Sequence, residues 1–166
     1  MTGVTAAPKV LRPARRFDPG KILVAHPNLQ ATTFRTLEDT GYGDLLCYEA
    51  YGARPFLSSE EEARAGVKRF VDEYNRLCKQ YDEDPKHEHY EVMNWNDLYH
   101  ELHILPSPFG DGWGLSISED YRITPKFNIY LQTNTIGTYF QNMADKVLII
   151  EPMDQYCTPY DFYLEV

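Results

Sequence analysis

Residues 58–84, "SSEEEARAGVKRFVDEYNRLCKQYDED", decide the fold because they contain the clearest periodic pattern in the chain. Ser58 or Ser59 can cap a helix here, and the glutamates three residues later complete a capping box. Apolar residues then recur at alternating steps of four and three, at Ala63, Val67, Phe70, Tyr74, Leu77 and Tyr81. The stripe is too short for the three to four heptads of a coiled coil, so it predicts one long amphipathic helix packed on a core.

A second, shorter helix is predicted for residues 94–105, "NWNDLYHELHIL", with Asn94 or Asn96 as its cap. Its apolar face consists of Trp95, Leu98, Tyr99 and Leu102. The turn-rich stretch 105–114, "LPSPFGDGWG", then separates this helix from a different kind of pattern. The two helices therefore lie before the region where alternation begins.

The remaining chain reads mainly as strands. Apolar and polar residues alternate along 113–118, 127–132 and 160–166, and each stretch predicts a half-buried strand. Four consecutive apolar residues in 146–152, "KVLIIEP", predict a central strand covered on both faces. Two earlier strands are predicted in segments 21–27 and 43–52, whereas residues 135–144 fit a helix or a strand. Together these patterns predict an α+β fold: a mainly antiparallel sheet in the C-terminal half, with one long and one short helix packed on one face.

Charge divides the chain into an arm and a body. Residues 1–20 contain three prolines and no apolar period, which predicts an extended arm followed by a single α+β domain over 21–166. Residues 1–16 carry a charge of +4 without any acidic residue, and the whole chain carries −9, so the rest carries −13. Such an acidic body repels phosphate backbones, whereas the arm could still contact nucleic acid or an acidic protein.

The cysteines and the apolar runs indicate the compartment. Cys47, Cys78 and Cys157 are too far apart in the sequence to indicate a thiolate zinc site or a disulfide framework. A reducing location is therefore expected, either the cytoplasm or the inside of a virion. No apolar run approaches the roughly 18 residues of a membrane span, and the N-terminus lacks the apolar core of a secretory signal. The sequence predicts a protein that neither inserts into a membrane nor is secreted by a signal peptide.

Four of the five histidines lie in residues 87–103, "HEHYEVMNWNDLYHELH", which raises the question of a metal site. If the first part is extended, His87, His89 and Glu91 lie on one face and form a sensible ligand set for zinc or ferrous iron. His100 does not join them, because the helical projection turns it into solvent beside Asp97. No HExxH motif is present either. A metal-dependent enzyme is therefore the alternative hypothesis, and the preferred one requires no cofactor.

Other catalytic signatures are missing from the sequence: it has no GxGxxG, no GxxxxGK[ST] and no GxSxG motif. The preferred hypothesis is a non-catalytic protein that binds another protein or itself, most simply as a structural or accessory subunit of a larger assembly. An immunity-type inhibitor or a nucleic-acid mimic that uses the acidic surface is a second version. Charged surfaces set partner choice and aromatic anchors carry affinity, so the expected binding residues are Arg12, Arg15, Arg16, Tyr156, Tyr160 and Tyr163.

Overall fold

The computed structural model describes residues 21–24, 33–86, 91–118, 122, 125–133 and 146–153. Its elements are β1 (Lys21–Val24), β2 (Thr33–Thr36), β3 (Glu38–Asp39), β4 (Leu45–Glu49), β5 (Arg54–Ser58), α1 (Glu60–Glu83), β6 (Val92–Asn94), α2 (Trp95–Glu101), α3 (Pro108–Gly112), β7 (Gly114–Ser116), β8 (Phe127–Thr133) and β9 (Lys146–Pro152). The α+β prediction is confirmed. The predicted arm, the predicted strand at 160–166 and the ambiguous segment 135–144 lie outside the described residues.

The main sheet has five strands in the order β3-β5-β4-β9-β8, and two further pairs, β1-β2 and β6-β7, form separate two-stranded sheets. Strand β4 pairs antiparallel with β5 but parallel with β9, and β3 pairs parallel with β5. The main sheet is therefore mixed and takes strands from both halves of the chain. Both β4 and β9 are near-continuous apolar runs, the composition that strands covered on both faces require.

Strand β9 occupies the central position that its four apolar residues predict. It lies between β4 and β8, and Val147, Leu148, Ile149 and Ile150 are at most 2% exposed. Among the described residues, β8 is the last strand of this sheet. In β8, the alternation of apolar and polar residues predicts less well which side chains are buried. Leu131, expected to face inward, is 44% exposed.

Helix α1 follows its predicted stripe over the first part of its length. The backbone N–H of Glu62 donates to Ser59 Oγ at 3.0 Å, which identifies the cap. Phe70 and Tyr74 are fully buried, but the next buried position is Cys78 and not Leu77, which is only half-buried. A straight helix turns once every 3.6 residues, so a stripe spaced at 3.5 drifts off the buried face.

Helix α2 is confirmed with Asn94 as its N-cap and with all four predicted apolar residues buried. It ends at Glu101, earlier than predicted, because His103 adopts the left-handed conformation with φ of 66°. The loop predicted at 105–114 includes the short helix α3. Ser107 caps α3 by accepting from the backbone N–H of Gly110 at 3.1 Å.

Internal packing divides the chain into two compact units. The first comprises residues 1–63 and 128–151, and the second comprises 64–127 and 152–166. In the second unit, Phe70 packs edge-on against Trp95 at 5.6 Å between ring centroids, and Trp95 stacks on Phe127 at 5.7 Å. The single domain expected over 21–166 stays a prediction. No helix in the described ranges is long and apolar enough to cross a membrane.

Candidate functional site

The residues predicted to form a site are mostly beyond what the structure describes. Of the metal set, only Glu91 is described: it is exposed just before β6, and its carbonyl oxygen accepts from the backbone N–H of Ile117 at 2.8 Å. His87 and His89 lie outside the described residues, as do Arg12, Arg15, Arg16, Tyr156, Tyr160 and Tyr163. Within the described ranges, no three His, Cys, Asp or Glu side chains form a group that could hold a metal ion.

The structure instead contains a charged surface groove in the second unit, between α1 and α2. Its volume is about 510 Å³, and its lining residues are Arg69, Asp72, Glu73, Arg76, Met93, Asp97, His100 and Glu101. We call it the α1–α2 groove. His100 is exposed, as the helical projection predicts, and it faces this groove rather than bulk solvent alone.

The two helices approach each other closely because α1 has a glycine at the contact. A Cβ atom built on Gly66 would stand 2.6 Å from the carbonyl oxygen of Glu101 and 3.1 Å from a methyl carbon of Leu102. A Cβ cannot approach a backbone atom so closely, so only glycine permits this approach. Gly66 therefore sets the separation of α1 from the C-terminal end of α2.

Two ion pairs lie in the groove. Arg69 Nε donates to Glu101 Oε1 at 2.8 Å, and its Nη2 donates to the Glu101 carbonyl oxygen at 2.9 Å. The guanidinium thus satisfies a carbonyl at the C-terminus of α2, where a positive charge is favourable. Along α1, Arg76 binds both carboxylate oxygens of Glu73 at 2.7 Å, and this pairing lowers the pKa of Glu73.

Asp97 differs from the other acids of the groove. Although the residue is exposed, loss of solvent around its carboxylate raises the pKa of Asp97, and the negative charges of Glu101 and Glu73 raise it further. The hydrogen bond that Asp97 Oδ2 accepts from the backbone N–H of Asn94, at 3.0 Å, acts in the opposite direction on this pKa. The proximity of His100 also lowers the pKa of Asp97. Loss of solvent around the carboxylate is thus the main cause of the raised pKa of Asp97.

The described cysteines offer no activated nucleophile. Cys47 is fully buried and its Sγ donates to the Leu45 carbonyl oxygen at 3.5 Å, while Cys78 is 7% exposed. Burial raises the pKa of both thiols, so the reactive thiolate is disfavoured at each.

The α1–α2 groove was missed by the sequence reasoning, which concentrated on the apolar face of α1. A signal was available: Arg69, Asp72, Glu73 and Arg76 recur at steps of three, one and three, which places them along one polar face of a helix. No local pattern in the sequence shows that α2 packs beside this face.

Comparison of the chain with protein-family models, with curated proteins and with solved structures finds no match.

Proposed function

We propose that this chain is a non-catalytic protein-binding protein, a structural or accessory subunit of a larger assembly. The observation that carries the proposal is the division of charge, with +4 on residues 1–16 and −13 on the rest of the chain. Opposite charges on separate parts of one chain favour association between copies, because complementary potentials speed encounter and select the partner.

The environment of the described cysteines supports a binding role over a catalytic one, since neither Cys47 nor Cys78 is placed to act as a nucleophile. In this proposal the arm supplies cations at Arg12, Arg15 and Arg16, and the body supplies the acidic surface. Tyr156, Tyr160 and Tyr163 add aromatic contacts at the interface. The assembly works in a reducing compartment or within a virion, and its partner is a second copy or another protein.

The test is the mass of the protein in solution, measured by size-exclusion chromatography with light scattering. The full chain should associate as its concentration rises, and added salt should weaken that association because screened charges attract less. Changing Arg12, Arg15 and Arg16 together to Ala should return the protein to monomers without altering its melting temperature. Deletion of residues 1–18 should have the same effect.

A full chain that stays monomeric at every concentration and salt would contradict self-assembly. Such a result would favour the inhibitor or mimic version, in which the acidic surface covers a basic target and the 1:1 complex forms only when that target is added. Metal bound stoichiometrically after dialysis, with a melting temperature that falls in chelator, would instead support the enzyme hypothesis based on His87, His89 and Glu91.

A further inference from the structure

We propose that the α1–α2 groove receives the basic arm of a second copy of this chain, an inference that rests on the assembly function proposed above. The groove has a suitable size, since its volume of about 510 Å³ falls within the roughly 300–1,000 Å³ of protein clefts that enclose ligands. Its length suits part of the arm. Its α1 wall from Arg69 to Arg76 is about 10 Å long, and an extended segment from Arg12 to Arg15 spans at most about 11 Å.

The charge of the groove complements that of the arm. Four carboxylates and two guanidinium groups line it, which leaves a net charge of −2 with the histidine counted as neutral. Both guanidinium groups are already engaged, by Glu101 and by Glu73. Asp72 is paired with Lys68, and both of these side chains are more than half exposed. An incoming cation therefore meets carboxylates more readily than it meets positive charge.

The groove also has one apolar side chain in its lining. Met93 is only 4% exposed, so the contact that it offers to a long cationic side chain is small. Arginine and lysine bury their methylene stems along apolar surface while the charged head stays near water or a carboxylate. At Asp97, a guanidinium would pair with a carboxylate that has lost part of its solvent shell, and the opposite charge would lower the pKa of this group.

The closing experiment tests complementation between two full-length variants. In the arm variant, Arg12, Arg15 and Arg16 are all changed to Glu. In the groove variant, Asp72→Lys reverses one charge and Asp97→Asn removes another while keeping an acceptor for the Asn94 N–H. Each variant alone should self-associate roughly tenfold more weakly than the wild type or worse. Mixed in equal amounts, they should form a 1:1 heterodimer, because one supplies an intact arm and the other an intact groove.

A matched control carries Glu61→Gln and Glu83→Lys, which make the same charge change at exposed positions of α1 outside the groove lining. It should assemble as the wild type does. If the groove variant also assembles as the wild type, or if the mixed variants stay monomeric, the groove is not the receptor, although the arm can still drive assembly elsewhere. If the wild type never assembles, the proposed function itself fails. Melting temperatures of all variants separate these outcomes from misfolding.

Discussion

His103 closes α2 in a backbone conformation that residues with a Cβ adopt at a cost. Its φ is 66°, and its N–H donates to the His100 carbonyl oxygen at 3.1 Å while the N–H of Ile104 donates to that of Tyr99 at 3.0 Å. This is the hydrogen-bond pattern of a helix end that favours glycine. His103→Gly should therefore raise the free energy of unfolding by about 1 kcal/mol, because glycine has no Cβ penalty in this conformation. Urea unfolding measures the change.

His103→Ala is the matched control, because it removes the imidazole and keeps the Cβ. It should leave the free energy of unfolding within about 0.5 kcal/mol of the wild type, as most exposed substitutions do. An equal gain from alanine and glycine would mean that the imidazole, and not the backbone, is the source of the cost.

Phe70 is the residue at which the sequence predicted burial best. It is fully buried, in edge-on contact with Trp95 and Phe127. Phe70→Ala should lower the free energy of unfolding by roughly 3–5 kcal/mol, because it leaves a cavity that the surrounding rings fill only in part. A loss below about 1 kcal/mol at Phe70 would contradict its place in the core.

His100→Ala, at an exposed position of α2, should change the free energy of unfolding by at most about 0.5 kcal/mol.

At the scale of elements, the contact of α1 with α2 depends on Gly66. A mid-helix glycine normally costs about 1 kcal/mol relative to alanine, so Gly66→Ala would stabilise an unconstrained helix. Here the added Cβ would stand 2.6 Å from the Glu101 carbonyl oxygen. Gly66→Ala should therefore lower the free energy of unfolding by up to about 2 kcal/mol despite the better helix propensity, since forced overpacking costs about 1–3 kcal/mol.

The neighbouring residue provides the control for this prediction. Ala65→Gly lies in the same turn of α1 and should lower the free energy of unfolding by about 1 kcal/mol through helix propensity alone. If urea unfolding showed that Gly66→Ala raises the free energy of unfolding, the Glu101 carbonyl oxygen could not lie as close to α1 as the structure places it.

Arg122 connects the C-terminal part of α1 to the segment that follows β7. Its Nη1 and Nη2 bind the two carboxylate oxygens of Asp82 at 2.9 and 3.0 Å, and its Nε donates to the Ile117 carbonyl oxygen at 3.1 Å. The hydrogen bonds from Arg122 lower the pKa of Asp82 in the folded protein. The ion pair thus adds stability above the ordinary aspartate pKa of about 3.9, and this stability is lost as the pH falls through the lowered value.

Arg122→Lys tests this contact, because lysine cannot form the two-point interaction. The variant should melt at a lower temperature than the wild type near neutral pH, and the difference should shrink as the pH falls below about 4. In an Asp82→Asn background, where residue 82 cannot titrate, the effect of Arg122→Lys on the melting temperature should not depend on pH. A wild-type-to-variant difference that stays constant from neutral to acidic pH would show that Asp82 contributes nothing.

The elements that the sequence predicted well are those whose pattern is local. Helices α1 and α2 follow from apolar spacing and caps, and β9 follows from four consecutive apolar residues. Strand β5 was missed because Pro55 usually marks an edge or a break in a sheet. It is tolerated because β3 pairs only with Phe56 and Leu57, so no hydrogen bond from residue 55 toward β3 is needed. The parallel pairing of β4 with β9 was also missed, since partners about 100 residues apart in the sequence leave no local signal.

At the scale of the whole molecule, the question is whether the two packing units unfold together. The boundaries between them fall after residues 63, 127 and 151, which lie within α1, β8 and β9 respectively. Each boundary falls near an end of its element, in the first turn of α1 and one residue from an end of β8 and of β9, so separate unfolding would still have to break backbone hydrogen bonds there. We therefore expect one cooperative transition, as the single-domain prediction for residues 21–166 requires.

Two buried thiols can show whether the two units unfold together, because Cys47 belongs to the first unit and Cys78 to the second. Burial raises the pKa of both, so a thiol reagent should label each only when the structure around it opens. Chains that retain one thiol are made by Cys157→Ser combined with Cys78→Ser or with Cys47→Ser. Labelling over a series of urea concentrations should give the two thiols opening free energies that agree within about 0.5 kcal/mol once each is corrected for its own variant's stability. Two distinct opening free energies that both fall steeply with urea would instead mean that the units are independent domains, whereas an opening free energy that urea does not change reports only a local fluctuation around that thiol.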